Sequence, residues 1–310
     1  MSHTLGILDI GSNTLRLLVA QADEDLVAKP LLEKSWTTRL GRFEPSSQRL
    51  SAFAVEDSLR AVEEAVRLSK EMGAEQVLGV ATAAVRNAVN GADFVQACLR
   101  LGGLSVKVLS PEEEALTVYT GFLSGEARPP GKALLLDLGG GSSEIILGQG
   151  DQVERVLSLN IGCISLLSEF PCSDALATKE WEHFLQTVRD RVSSFLEGVS
   201  SEGAEVVGLS GSIVQLAAVD RGFGDADVSR LQGHVLSSGR IREILDHLRQ
   251  LSLQDRRAVS GLRPDRADSV LTGGVLLQQV MAQLGCERLR IGLFGLRRGV
   301  ALRYCRGELF

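Results

Sequence analysis

Two stretches decide the fold: LDIGSNTLRLLVAQ at residues 8–21 and LDLGGGSSEIILGQ at residues 136–149. They align without gaps. Asp9 falls on Asp137, Gly11 on Gly139, Thr14 on Ser142, Arg16 on Glu144 and Gln21 on Gln149. Each reads as a strand, a tight turn bearing glycine and a returning strand. Because the polar and glycine positions coincide as well as the apolar ones, we expect two related α/β halves facing each other.

Around the first copy, 5–8 and 15–20 are expected as strands and 51–72 as an amphipathic helix, with apolar Leu59, Val62, Ala65, Val66 and Leu68 at helical spacing. Gly73 is its stop, and a strand follows at 76–80. A helix at 90–101, a strand at 104–109 and an acidic helix start at Pro111-Glu-Glu-Glu114 complete this half. Residues 124–132, rich in Gly, Pro and charge, are the expected linker, so the domains read as 1–123 and 124–310, with the terminal helix free to pack back on the first. Around the second copy, strands are expected near 156–160, 205–209 and 289–293. Helices are expected at 179–197, 213–219, 240–251, 267–284 and 295–304.

Composition narrows the classes. The 310 residues are 44% hydrophobic, enough for about two cores. A net charge of −6 argues against nucleic acid or anionic membrane as partner. A polyanionic ligand then needs local compensation from Arg side chains, backbone amides or a divalent cation. The five cysteines (Cys98, Cys163, Cys172, Cys286, Cys305) are odd in number and without a CxxC pair, and read as buried free thiols. No basic leader opens the chain and no apolar run approaches the roughly 18 residues that span a bilayer, so a cytoplasmic protein is expected.

A carboxylate at a strand end followed by glycines lets backbone amides approach an anion while the acid holds a metal ion or water beside it. Asp9, Gly11, Ser12 and Asn13 make one such loop. Asp137, Gly139, Gly140, Gly141, Ser142, Ser143 and Glu144 make the other. In ATAAVRNAVN (81–90), Thr82 offers a hydroxyl and Arg86 a forked donor to phosphate oxygens. Glu112 and Glu113 fit a helix start; Glu114, next to the apolar Ala115-Leu116, points inward on this reading and suits general-base work. Ser210-Gly211-Ser212, between a strand and a helix, is a further anion contact or a purely structural turn. The four histidines form no metal-ligand pair.

These loops, in order with ATAAVRNA (81–88), EEEA (112–115), GLSGS (208–212), GLRPDRAD (261–268) and GLRRG (295–299), resemble the exopolyphosphatase/guanosine pentaphosphate phosphohydrolase (Ppx/GppA) family over nearly the whole chain. The resemblance implies duplicated ribonuclease-H-like domains of the actin/sugar kinase/Hsp70 type, with an active-site cleft between them. It implies Mg2+-assisted attack of water on the terminal phosphate of inorganic polyphosphate or a phosphorylated guanosine nucleotide. On that analogy Glu114 is the base, and Asp137 and Glu144 serve catalysis and the metal. Phosphate then falls to Asp9, Gly11, Ser12, Asn13, Arg16, Thr82, Arg86, Gly139 to Ser143, Gly211 and Ser212. The chain departs from the family pattern with Ser in the 208–212 turn, with an apolar Ile291-Gly-Leu-Phe lead-in, and in ending without the helical HD-like domain of longer members; a short substrate is the resulting expectation. A homodimer, a phosphotransferase on the same fold and a binding protein for a phosphorylated nucleotide all stay open at this point.

Overall fold

The computed structural model describes residues 2–44, 47–125 and 129–310. It forms two compact units, Met1–Arg128 with Phe294–Phe310, and Pro129–Leu293. Phe294–Phe310 cluster with the first unit, the arrangement that the sequence reading left open for the terminal helix. Of the expected linker, 126–128 lie outside the described residues.

The first unit holds β1 (His3–Ile10), β2 (Leu15–Ala22), β3 (Leu32–Trp36), α1 (Ala52–Glu71), β4 (Gln76–Ala81), α2 (Ala83–Asn87), α3 (Gly91–Gly102), β5 (Ser105–Val108) and α4 (Pro111–Leu123). Its sheet runs β3-β2-β1-β4-β5. The first three strands pair antiparallel, and β4 and β5 join in parallel. The helices start and stop where side chains dictate. Ser51 caps α1 by accepting the Ala54 amide at 3.3 Å, and the chain leaves it through Gly73 at φ 78°. Ser110 and Glu113 form a reciprocal capping box on α4.

The second unit holds β6 (Lys132–Leu138), β7 (Ser143–Gln149), β8 (Gln152–Leu159), α5 (Cys163–Glu169), α6 (Thr178–Phe195), β9 (Ala204–Gly208) and α7 (Gly211–Arg221). It continues with β10 (Val235–Ser237), α8 (Ser238–Leu248), α9 (Leu253–Arg256), α10 (Val270–Gln283) and β11 (Arg288–Ile291). The last helix, α11 (Leu296–Cys305), belongs to the first unit. The second sheet, read from its β8 edge, runs β8-β7-β6-β9-β11-β10. Its first five strands repeat the order and the directions of the first sheet, and β10 adds an antiparallel edge. This order is ribonuclease-H-like, and its repetition is the duplicated fold of the actin, sugar kinase and Hsp70 type.

Strand alternation sorts the two faces of each sheet. Leu8, Ile10, Leu15 and Leu17 pack with Val62 and Ala65 of α1; Leu5, Ile7, Leu18 and Ala20 pack with Val300 to Leu302 of α11. In the second unit Leu134, Leu136 and Leu138 join the core of α6, α7, α8 and α10. A buried guanidinium ties part of that unit together: Arg256 donates to the carbonyls of Leu251 (3.2 Å), Ala267 (3.1 Å), Asp174 (3.3 Å) and Cys172. All five cysteines are free; Cys305 is only half-buried, a departure from the expectation of buried thiols throughout. No helix among the described residues is long and apolar enough to cross a membrane.

Candidate active site

In the first unit Asp9 stands opposite Arg16 in the β1–β2 register. Both share the strand parity of the residues under α11, which explains how Arg297 of α11 comes to act on Asp9. Burial raises the Asp9 carboxyl above its ordinary range, opposed by the positive charges of Arg16 and Arg297. Burial likewise pulls Arg297 down, opposed by Glu33 at 3.0 Å, and Arg297 also donates to the Leu17 carbonyl at 3.1 Å. Between β1 and β2 the Gly11 amide donates to the Thr14 carbonyl at 3.2 Å, closing the turn. The amides of Ser12 and Asn13 have no protein acceptor among the described residues. Asn13 is 5% exposed, and neither Oδ1 nor Nδ2 has a hydrogen-bond partner there. A buried amide left this way costs stability unless a ligand completes it.

Thr82, buried at the end of β4, opens α2, and Arg86 closes that helix. The Arg86 guanidinium donates to Glu114 at 2.9 Å and to the Leu109 carbonyl at 2.8 Å. Part of the fork that sequence reading gave to phosphate is thus held by protein. Glu113 is taken up by the Ser110 cap and Lys107, and Glu112 accepts from Ser110 at 2.9 Å. Glu114 lies inside, 6% exposed.

The second unit repeats the turn. The Gly139 amide donates to the Ser142 carbonyl at 2.9 Å, and Asp137 stands opposite Glu144 across β6 and β7. Cross-strand partners project to the same face with about 5 Å between Cβ atoms, so the two carboxylates are neighbours. Glu144 is buried and accepts the Ser158 hydroxyl at 3.0 Å. Ser143 donates to the Ile161 carbonyl at 2.6 Å. The start of α5 holds the loop from below, because the amides of Cys163, Ile164 and Ser165 donate to the Gly139 and Gly140 carbonyls at 2.8–3.2 Å. With those carbonyls fixed, the amides of Gly140 and Gly141 donate to no acceptor among the described residues. Ser210 caps α7, and Ser212, inside its first turn, lies near Cys163, whose thiol burial pushes up. Gly211 and Ser212 thus join the wall beneath the glycine loop.

Among the described residues no three His, Cys, Asp or Glu side chains gather to form a metal site by themselves. Two adjacent carboxylates fit Mg2+ all the same, since that ion keeps several waters and takes one or two carboxylates plus substrate phosphates. Sequence reading missed Arg297, Cys163 and Ser158 as neighbours of these loops. The GLRRG motif was the one local signal for Arg297; nothing local marked the other two.

Residues 18–307 match the model of the Ppx/GppA phosphatase family. The chain is 26% identical to exopolyphosphatase 1 of Mycobacterium tuberculosis, over 98% of this chain and 89% of that protein. It is 27% identical to guanosine-5'-triphosphate,3'-diphosphate pyrophosphatase of Vibrio vulnificus, over 95% of this chain and 58% of that one. The crystal structure of the Aquifex aeolicus Ppx/GppA family member superposes with a TM-score of 0.81 at 28% identity, covering 99% of both chains. The chain therefore belongs to the Ppx/GppA phosphatase family, hydrolases that act on phosphoanhydride bonds.

Proposed function

We propose that this chain releases terminal orthophosphate from inorganic polyphosphate, with the pentaphosphate guanosine nucleotide as a second substrate. The observation that carries the reading is the repeated turn: two strand-glycine-strand loops, each with a carboxylate at the strand end and unspent amides at the tip. A phosphate chain is the ligand for which such loops are suited, because each amide meets an anionic oxygen without adding charge that must be neutralised elsewhere.

In this reading the amides of Gly140 and Gly141 and those of Ser12 and Asn13 bind phosphate oxygens, and Asn13 gains the partner it lacks. Glu114 takes a proton from water as the water oxygen bonds to the terminal phosphorus and the bridging P–O bond breaks. The shortened chain leaves with the bridging oxygen. Arg86 orients Glu114 and supplies the counter-charge that a buried carboxylate requires. Asp137 and Glu144 would hold Mg2+, which when bound neutralises charge on the transferring phosphate. Arg16, Thr82, Gly211 and Ser212 shape the phosphate-binding walls. Five free cysteines suit a reducing cytoplasm.

The test is phosphate release from long polyphosphate, tripolyphosphate, the pentaphosphate nucleotide and ATP, side by side with Mg2+ or with EDTA. Release from at least one polyphosphate, abolished by EDTA, is expected. A folded protein that frees no phosphate from any of them overturns the proposal, and release unaffected by EDTA removes the metal from it.

A further inference from the structure

Arg39 lies in the loop that follows β3 and has φ 52°, in the left-handed region where a side chain is unfavourable. Glycine would adopt this conformation without penalty. The backbone is held there by the first phosphate loop. The Arg39 amide donates to the Asn13 carbonyl at 3.0 Å, and the Gly41 amide to the Ser12 carbonyl at 2.7 Å. Gly41 itself approaches so closely that a Cβ there would stand 2.7 Å from the Cβ of Ser12. Thr38 and Leu40 on either side are buried, as is the Nε of Arg39. The segment is therefore clamped onto the turn whose tip amides and buried Asn13 side chain have no partner among the described residues.

Resting on the polyphosphatase reading, we propose that Arg39 is a substrate-binding residue of the first unit, its guanidinium pairing with a phosphate oxygen beside the Asn13 amide. Strained conformations of this kind persist where the surrounding structure over-determines them and function uses the result. An arginine kept at a glycine-favouring position, against a turn with an unsatisfied buried amide, is kept for its side chain. The forked donor geometry of arginine suits phosphate oxygens.

Two variants separate side chain from backbone. Arg39→Gly relieves the strain and removes the guanidinium; Arg39→Met keeps the stem and the strain and removes only the charge. Both are expected to melt within a few degrees of wild type, the glycine variant no lower than the methionine one. Both should lower kcat/KM for tripolyphosphate by roughly tenfold to a hundredfold, mainly through KM, the range one charge-assisted hydrogen bond commands. Wild-type kcat/KM in either folded variant overturns the assignment. Calorimetric binding of tripolyphosphate to Glu114→Gln, with and without Arg39→Met, keeps the two proposals apart. Binding weakened about tenfold or more by Arg39→Met supports the Arg39 contact even where wild type proves inert toward polyphosphate, and equal binding removes it even where wild type is active.

Discussion

Gly162→Ala tests whether the glycine loop acts through its position. Gly162 precedes α5 with φ −147° and ψ 173°, extended backbone that alanine adopts freely, so the substitution adds no conformational strain. It adds one methyl group in the wrong place. The new Cβ would stand 2.6 Å from the Gly141 nitrogen and closer still to the Gly140 carbonyl. Carbon needs about 3.5 Å from a backbone atom, so the loop must retreat by roughly an ångström. The contact is backbone to backbone and no flexible side chain can yield. That retreat pulls the Gly139 and Gly140 carbonyls off the amides of Cys163, Ile164 and Ser165 and moves the two free amides meant for phosphate. A displacement of this size costs about a hundredfold in rate, and overpacking costs about 1–3 kcal/mol in stability. Steady-state phosphate release from tripolyphosphate, paired with thermal melting, should show kcat/KM down by that factor while Tm falls only a few degrees. A folded variant with kcat/KM within about twofold of wild type, far from the hundredfold expected, would refute the account of this loop as a fixed anion cradle.

Glu114→Gln should leave the fold intact and reduce phosphate release by about 10²- to 10⁴-fold; wild-type turnover would mean that another group activates the water. Arg256→Met leaves the carbonyls of Leu251, Cys172, Asp174 and Ala267 without their donor. Urea unfolding should show a loss of at least about 3 kcal/mol, since each buried carbonyl left unsatisfied is costly; a loss below about 1 kcal/mol would contradict the role given to this residue. For Asp9, burial holds the folded carboxyl above its ordinary value of 3.8. The folded state therefore keeps this proton to higher pH than the unfolded state, and the stability it contributes is full below about 3.8 and lost as pH rises through the folded value. Asp9→Asn removes that dependence. The melting temperature of the variant should gain on wild type as pH rises above about 4, while its phosphate release falls; a gap that stays constant with pH would show that Asp9 carries no raised pKa.

Sequence alone reaches what is signalled locally. The two loops were legible because carboxylate, glycine and strand pattern coincide within fourteen positions, twice. Helix α1 was legible through its apolar spacing and Gly73, and Glu114 could be told from Glu112 and Glu113 by its apolar neighbours. Short elements were not. Helix α2 and helix α5 are too brief to establish a helical period, and β3 is an edge strand whose LEKSW shows no alternation because little of it is buried. Contacts between distant positions were also invisible. Arg297 reaches Asp9 because α11 covers the sheet face on which Asp9 lies, and Ser212 reaches Cys163 because α7 and α5 begin side by side. The Arg86 fork looked free for phosphate because its pairing with Glu114 and Leu109 depends on where α4 returns to the sheet.

Membership of α11 in the first unit has a consequence for how the protein is made. The second unit is one uninterrupted segment, 129–293, and is complete on the ribosome before α11 is translated. Until then the nascent first unit has Leu5, Ile7, Leu18 and Ala20 without Val300 to Leu302 over them, and Asp9 without Arg297. The first unit is closed only after the second has been synthesised, and the charge beside Asp9 arrives with α11.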